Sequence, residues 1–200
     1  MTKRIGLYLY HEVEVLDFAG PFEVFNTANR LALRQNPSEE MPFEVLTISR
    51  QPGIVLARGG LPVMPAYTID NAPSLQVLMV PGGIVDVEMA NPELLSWLRR
   101  VSAEAEISAS VCTGAFLLAQ AGVLGNRPVT THWEDIPDLR QRFPSLQVRE
   151  NARWVDDGAV VTAAGISAGI DMSLHLVERI AGRDLAVRTA KQMEYVWNEG

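Results

Sequence analysis

A buried strand and a helix meet in the stretch Ser108-Ala109-Ser110-Val111-Cys112-Thr113-Gly114-Ala115. Its apolar first half predicts a strand covered on both faces, and a helical pattern follows directly. Cys112 is the single nucleophilic side chain at the junction, with the small residues Ser110 and Gly114 two positions away on either side. A sharp strand-to-helix turn strains its corner residue and needs small neighbours. This stretch therefore predicts an α/β fold with Cys112 at a strained corner.

Similar strand and helix patterns alternate along the chain. Three further apolar runs predict buried strands: Ile5–Tyr10, Phe43–Ile48 and Leu75–Val80. Helical patterns cover Pro21–Leu33 (opening at Gly20-Pro21), Pro92–Glu104 (with Asn91 as N-cap), Phe116–Ala121, Gly169–Ile180 and about Asp184–Trp197. This alternation predicts a doubly wound α/β sandwich with a mainly parallel sheet.

Two segments depart from the alternation. Val55–Val63 contains two glycines and a proline and predicts a short excursion or a hairpin near a sheet edge. Arg153–Val155 and Ala159–Ala163 flank Asp156-Asp157-Gly158, and Asp-Gly between apolar runs is typical of a hairpin. We expect an antiparallel pair on the otherwise parallel sheet.

Composition limits the classes of function. The 200 residues predict a single domain, 1–200, and the net charge of −7 argues against nucleic-acid binding. One cysteine excludes an internal disulfide and favours a reducing compartment. No apolar run is long enough for a membrane span, so the cytoplasm is the expected location. The chain lacks a P-loop, an early G-x-G-x-x-G and metal-ligand spacings around its three histidines, so we expect no cofactor and no metal.

Three predicted strands are followed by residues that can carry chemistry. In open α/β sheets ligands bind beyond the carboxyl ends of the strands. The first strand is followed by 11–17, the third by Pro81-Gly82-Gly83 and the fourth by Cys112-Thr113-Gly114. An acid, exposed backbone amides and a thiol would thus meet in one crevice.

Cys112 and Asp17 are the candidate catalytic pair. At a helix N-terminus the helix dipole would lower the pKa of the Cys112 thiol, whereas a lone cysteine is otherwise a small inert core residue. Asp17 lies between apolar neighbours, where desolvation would raise the pKa of its carboxyl and suit it to proton transfer. The alternative for Asp17 is an N-cap, and Glu12, Glu14 and Glu23 compete for the acid role.

Gly82, Gly83 and His132 are the candidate substrate-binding residues. The two glycines would let backbone amides point at a ligand as an oxyanion hole, and the alternative is a simple turn. His132, within Thr130-Thr131-His132-Trp133, would orient or protonate substrate, or else begin a surface helix.

Together these motifs resemble the DJ-1/PfpI (ThiJ) superfamily over essentially the whole chain. The matching segments are 17–24 (DFAGPFEV), 80–83 (VPGG), 111–114 (VCTG) and 130–133 (TTHW). The resemblance implies a flavodoxin-like sandwich, a cysteine in a strained elbow and a homodimer. Its protease-like branch has a histidine after the cysteine, where this chain has Thr113, which argues against peptidase activity.

The early D-x-A-G-P, the C-T-G elbow and T-T-H-W resemble the isonitrile hydratase branch. That resemblance implies Asp17, Cys112 and Thr113 as functional residues, a small-molecule substrate and no cofactor. The implied reaction hydrates small isonitriles to N-substituted formamides through a thioimidate on Cys112.

Two other functions stay open at this point. The sensor domains of AraC-type regulators are similar, although the chain stops at Gly200 without a helix-turn-helix motif, unless it is truncated there. A stress or redox role like that of DJ-1 would predict oxidation of Cys112 to a sulfinate. DJ-1 has a glutamate where this chain has Asp17, and it lacks the C-T-G signature.

Overall fold

The buried apolar runs form the centre of a seven-stranded sheet in the computed structural model, which describes residues 1–199. The strands are β1 (Lys3–Leu9), β2 (Phe43–Ser49), β3 (Val55–Leu56), β4 (Pro62–Val63), β5 (Tyr67–Thr68), β6 (Val77–Val80), β7 (Ile107–Val111), β8 (Pro128–Val129), β9 (Gln147–Val148), β10 (Trp154–Asp156) and β11 (Val160–Ala163). Seven of them pair in the order β10-β11-β7-β6-β1-β2-β5. Within it the parallel strands β2-β1-β6-β7-β11 have the flavodoxin-like order 2-1-3-4-5.

Helices cover both faces of this sheet, as the predicted doubly wound sandwich requires. They are α1 (Val15–Gln35), α2 (Asp86–Met89), α3 (Pro92–Glu104), α4 (Gly114–Gln120), α5 (Ile136–Arg142), α6 (Ala168–Ala181) and α7 (Arg183–Gln192). Strand β1 contributes side chains to the hydrophobic layers on both faces of the sheet. Ile5 and Leu7 pack with α1, α6 and α7, whereas Tyr8 packs with α3 and α4. All three side chains are fully buried. This two-faced burial explains why β1 is an apolar run without polar alternation.

Both predicted hairpins are confirmed. Strands β10 and β11 pair antiparallel across Asp157-Gly158, and β3 and β4 form a separate antiparallel pair. Helix α3 has the predicted bounds, and the Asn91 side chain accepts a hydrogen bond from Leu94 N at 2.9 Å. Among residues 1–199, no helix combines the length and the apolar character that crossing a membrane requires.

Two predicted helix bounds are wrong. Helix α1 begins at Val15 rather than at Pro21, so Pro21 lies inside it. Proline has no N–H, so the carbonyl of Asp17, four residues earlier, lacks its intrahelical donor. Helix α7 ends at Gln192 rather than near Trp197. The residues after it pack against α6, where the backbone N–H of Asn198 donates to the Asp171 carboxylate at 2.8 Å.

Candidate active site

Cys112 occupies the corner between β7 and α4. Its φ is +54°, in the left-handed region that non-glycine residues rarely adopt. Its backbone N–H donates to the carbonyls of Ala163 and Ala164, both at 3.1 Å, which tie the corner to the end of β11. The side chain is only 8% exposed. The strained elbow predicted from the sequence is therefore present.

Gly114 is the residue that lets this corner approach β6. A Cβ atom there would lie 2.0 Å from the carbonyl oxygen of Val80, a backbone atom that cannot rotate away. We therefore expect Gly114→Ala to lower the free energy of unfolding by about 2–4 kcal/mol, as overpacking and strain do. Urea unfolding measures this, with Gly122→Ala as the control.

Gly122 has a φ of +77° and open space around it, so alanine there should cost only about 1 kcal/mol. Equal losses in the two variants would show that the close packing at Gly114 is unimportant.

The thiol of Cys112 is held in its neutral form. Burial, and next the charge of Asp17, raise the pKa of Cys112 to about 12, although the backbone N–H groups of Thr113 and Ile166 donate to the sulfur and act in the opposite direction. The predicted lowering of this pKa is therefore wrong. Helix α4 has only seven residues, and desolvation outweighs its dipole.

Ile166 is a site residue that the sequence reasoning missed. Its φ is +44°, an outlier for a β-branched side chain, and this conformation brings its N–H to the thiol. It follows β11, which we interpreted only as half of a hairpin. Because β11 also pairs in parallel with β7, its carboxyl end meets the same crevice. Parallel pairing of this strand would therefore have predicted a site residue just after it.

Asp17 lies in the first turn of α1 and is fully buried. Its Oδ2 accepts a hydrogen bond from the backbone N–H of Gly82 at 2.9 Å, and its Oδ1 has no hydrogen-bond partner within residues 1–199. Burial raises the pKa of Asp17 to about 7, although the Gly82 amide acts in the opposite direction. The predicted upward shift of the Asp17 pKa is therefore confirmed. The N-cap alternative for Asp17 is excluded, because Glu14 occupies the N-cap position of α1.

Ionisation of Asp17 is expected to destabilise the fold as the pH rises from about 4 to about 7. The pKa of this carboxyl is 3.8 in its ordinary state and about 7 when folded, so in this range the folded state keeps a proton that the unfolded chain releases. The stability it contributes should fall by about 2–3 kcal/mol between pH 5 and pH 7.5. Urea unfolding at both pH values measures the loss.

Asp17→Asn cannot ionise and should remove this part of the pH dependence. The same change with pH in both proteins would contradict the raised pKa.

Thr113 connects the elbow to the loop Pro81-Gly82-Gly83, which follows β6. Its Oγ1 accepts from Gly83 N at 2.8 Å and donates to the Gly83 carbonyl at 2.9 Å. A Cβ atom at Gly82 would lie 2.6 Å from Thr113 N and 2.8 Å from Oδ2 of Asp17. Both loop amides are thus engaged inside the protein, and their use as an oxyanion hole stays a prediction that requires these bonds to open.

The competing acids lie outside this arrangement. Glu12 is exposed, Glu14 is 3.6 Å from Arg58, and the half-exposed Glu23 pairs with Arg30 at 2.8 Å. No group of three or more His, Cys, Asp or Glu side chains within residues 1–199 is arranged to hold a metal ion.

His132 lies in the wall of a cavity of about 670 Å³. Its Nδ1 is 3.6 Å from Oδ2 of Asp135, and its ring packs so closely on Gly165 that a Cβ there would be 2.0 Å away. Ile166 lines the same cavity, so the cavity reaches the residue whose amide contacts the thiol. The structure thus links Asp17, Gly82, Gly83 and Thr113 by hydrogen bonds next to Cys112, whereas His132 lies in the cavity wall with Ile166.

Comparisons with known proteins show relatives of two kinds, an enzyme and transcriptional regulators. The chain is 33% identical over 196 residues to an isonitrile hydratase of Pseudomonas putida, covering 98% of this chain and 79% of that protein. It is 30% identical over 192 residues to the HTH-type transcriptional regulator CdhR of Pseudomonas aeruginosa. This match covers 96% of this chain and 55% of the regulator. The chain therefore spans about half the length of that regulator.

A solved structure shows the same fold. A ThiJ/PfpI family protein from Pseudomonas syringae superposes with a TM-score of 0.84 at 27% identity, covering 98% of this chain and 76% of that one. The family model described as the DJ-1/PfpI family matches residues 3–179, a range that contains both Asp17 and Cys112. The chain belongs to the DJ-1/PfpI family.

Proposed function

We propose that this protein hydrates small isonitriles to N-substituted formamides, with Cys112 as the nucleophile. The observation that carries the proposal is the elbow itself, in which the thiol lies near a buried carboxyl whose pKa is about 7. Asp17 keeps one oxygen without a partner in the described residues, so it can exchange a proton. The identity of 33% to an isonitrile hydratase supports this substrate class.

In the first step, ionised Asp17 takes the thiol proton as sulfur attacks the terminal carbon of R–N≡C. Asp17 then gives this proton to the same carbon, which leaves the thioimidate R–N=CH–S–Cys112. The amides of Thr113 and Ile166 donate to the sulfur and stabilise the charge that develops there. The S–H bond of the thiol is added across the isonitrile carbon without any other reactant, so no oxidant or reductant is required.

In the second step, water adds to the thioimidate carbon. Asp17 accepts a proton from the water and passes it to the imine nitrogen, which yields R–NH–CH(OH)–S–Cys112. Collapse of this intermediate breaks the C–S bond, transfers the hydroxyl proton to the departing sulfur and releases R–NH–CHO, with Asp17 ionised again. The pKa of about 7 suits Asp17 to both directions of transfer near neutral pH.

The test is to incubate the protein with cyclohexyl isocyanide and follow the formyl proton of the formamide by NMR. We expect catalytic formation of N-cyclohexylformamide, many molecules per protein. The absence of formamide, with a thiol that still reacts with alkylating agents, would overturn hydration as the function.

A second candidate function is ligand sensing without turnover. It is favoured by the identities of 30% and 31% to HTH-type transcriptional regulators from Pseudomonas aeruginosa and Rhizobium meliloti, of which the chain spans 55% and 56%. Sensing predicts that a ligand raises the melting temperature while no product forms. The third candidate is a stress or redox role like that of DJ-1, in which Cys112 is oxidised. The burial of the thiol and its pKa of about 12 argue against this role, because oxidation follows thiolate character and exposure.

We further propose that the chain works as a single-domain homodimer in the cytoplasm, where its one cysteine stays reduced. The homodimer rests on the family resemblance. Light scattering coupled to gel filtration measures it, and a monomeric mass at micromolar concentration would contradict it.

A further inference from the structure

A second cavity lies beyond the carboxyl ends of β1 and β2, and it shares no lining residue with the cavity at His132. Its volume is about 160 Å³, which is room for several water molecules or for one very small organic molecule. Leu9, Tyr10 and His11 line it from the end of β1, and residues 49–51 line it from the end of β2. Open α/β sheets bind ligands beyond the carboxyl ends of their strands, so this cavity is well placed to hold one.

Arg50 brings an unsatisfied hydrogen-bond donor to the wall of this cavity. Its Nε is buried and has no hydrogen-bond partner within residues 1–199. This nitrogen lies 4.0 Å from Oε2 of Glu88, too far for a hydrogen bond, and that oxygen already accepts one from the Tyr8 hydroxyl. Because buried polar groups in proteins are almost always bonded, we expect Arg50 Nε to donate to a molecule that occupies the cavity.

His11 supplies a second donor to the same cavity. Its Nδ1 accepts a hydrogen bond from the backbone N–H of Leu56 at 3.1 Å, so the neutral ring carries its proton on Nε2. A guanidinium N–H and an imidazole N–H thus line one small space. A carboxylate has two oxygens and can accept from both donors at once.

Glu88 gives the cavity a charge opposite to that of Arg50. It lines the cavity and is only 6% exposed. The two charges balance, so an added anion or cation would leave one buried charge without compensation. A zwitterion avoids this cost, because its carboxylate meets Arg50 and its ammonium group meets Glu88. Leu9, Pro52 and Val55 complete the wall with apolar surface that suits a short alkyl side chain.

We propose that this cavity binds a small α-amino acid as its zwitterion, at a site distinct from the Cys112 elbow. The carboxylate accepts from Arg50 Nε and His11 Nε2, and the ammonium group donates to the carboxylate of Glu88. The volume of the cavity limits the side chain to about the size of a methyl or hydroxymethyl group. The proposal goes beyond isonitrile hydration and holds or fails independently of that reaction.

The experiment titrates isotope-labelled protein with L-alanine and follows the amide peaks of residues 9–11 and 49–51 by NMR. We expect a Kd below about 1 mM. Propionate lacks the ammonium group and ethylamine lacks the carboxylate, so each should bind at least about tenfold more weakly, the loss of a charge-assisted hydrogen bond. L-Phenylalanine should not bind, because its side chain is too large for the cavity.

Two variants test the charges. Arg50→Gln should weaken the binding of L-alanine at least about tenfold. Glu88→Gln keeps an acceptor for the Tyr8 hydroxyl but removes the negative charge, so it should weaken L-alanine and strengthen propionate, a change that a general loss of structure cannot produce. Arg100→Gln is the matched control, since Arg100 is exposed on α3 and outside the cavity, and it should bind L-alanine as the wild-type protein does.

Thermal unfolding by circular dichroism checks that each variant is folded. Equal affinities of the wild-type protein for L-alanine and propionate would overturn the proposal, and so would an unchanged affinity for L-alanine in folded Arg50→Gln. Kd values above about 10 mM for every compound would also overturn it, and the cavity would then hold only water.

Discussion

Cys112→Ala is expected to abolish formamide production, with a loss of at least about 10⁴-fold in kcat, while the fold persists. Alanine removes the sulfur that attacks the isonitrile carbon, and no other cysteine exists in the chain. Alanine fits the space of the buried thiol, so we expect thermal unfolding by circular dichroism to remain cooperative. NMR of the formyl proton measures the turnover.

Cys112→Ser is the stricter variant of this experiment. It keeps a side chain of nearly the same size that can still accept from the amides of Thr113 and Ile166. We expect it to be inactive as well, because a hydroxyl is a far poorer nucleophile than a thiol toward a soft carbon. Turnover at the wild-type rate in either variant would rule out Cys112 as the nucleophile.

Asp17→Asn is expected to lower kcat/KM by about 10²–10⁴-fold, the usual contribution of a positioned acid or base. The amide can still accept the hydrogen bond of Gly82, but it cannot take the thiol proton. In the wild-type protein Asp17 must be ionised to accept that proton, so kcat/KM should rise with pH through about 7 and then level off. The residual activity of Asp17→Asn should lack this rise.

Glu14→Gln is the matched control for Asp17. Glu14 is a neighbouring acid at the N-cap of α1, and its charge contributes to the raised pKa of Asp17. The variant should keep its activity within a few-fold and shift the rise in kcat/KM to slightly lower pH. A large loss in Glu14→Gln, with Asp17→Asn nearly unaffected, would reverse the assignment of the proton-transfer group.

The sheet was predictable because its central strands are buried on both faces. Ile107–Val111 matches β7 residue for residue, and Asp157-Gly158 placed the β10–β11 hairpin. The elbow was predictable from small residues around Cys112, since the packing of Gly114 on Val80 requires them. Local steric rules thus carried much of the fold and the position of the thiol.

The errors arose where distant residues decide the outcome. Pro21 predicted a helix start, but burial of the first turn of α1 favours a helix that continues through it. The strained φ of Ile166 has no sequence signature, because a β-branched residue is not expected to adopt a positive φ. The pKa of Cys112 depends on the surrounding burial and on Asp17, 95 positions earlier in the chain, rather than on the helix that follows.

The central claim is that Cys112 bonds covalently to the isonitrile carbon, and acid-quenched mass spectrometry tests it most directly. Protein mixed with cyclohexyl isocyanide and quenched during turnover should gain the mass of one isonitrile, on the peptide that contains Cys112. Asp17→Asn should slow both the formation and the loss of this adduct, and Cys112→Ala should show none. Steady formamide production with no adduct on Cys112 at any quench time would contradict the account.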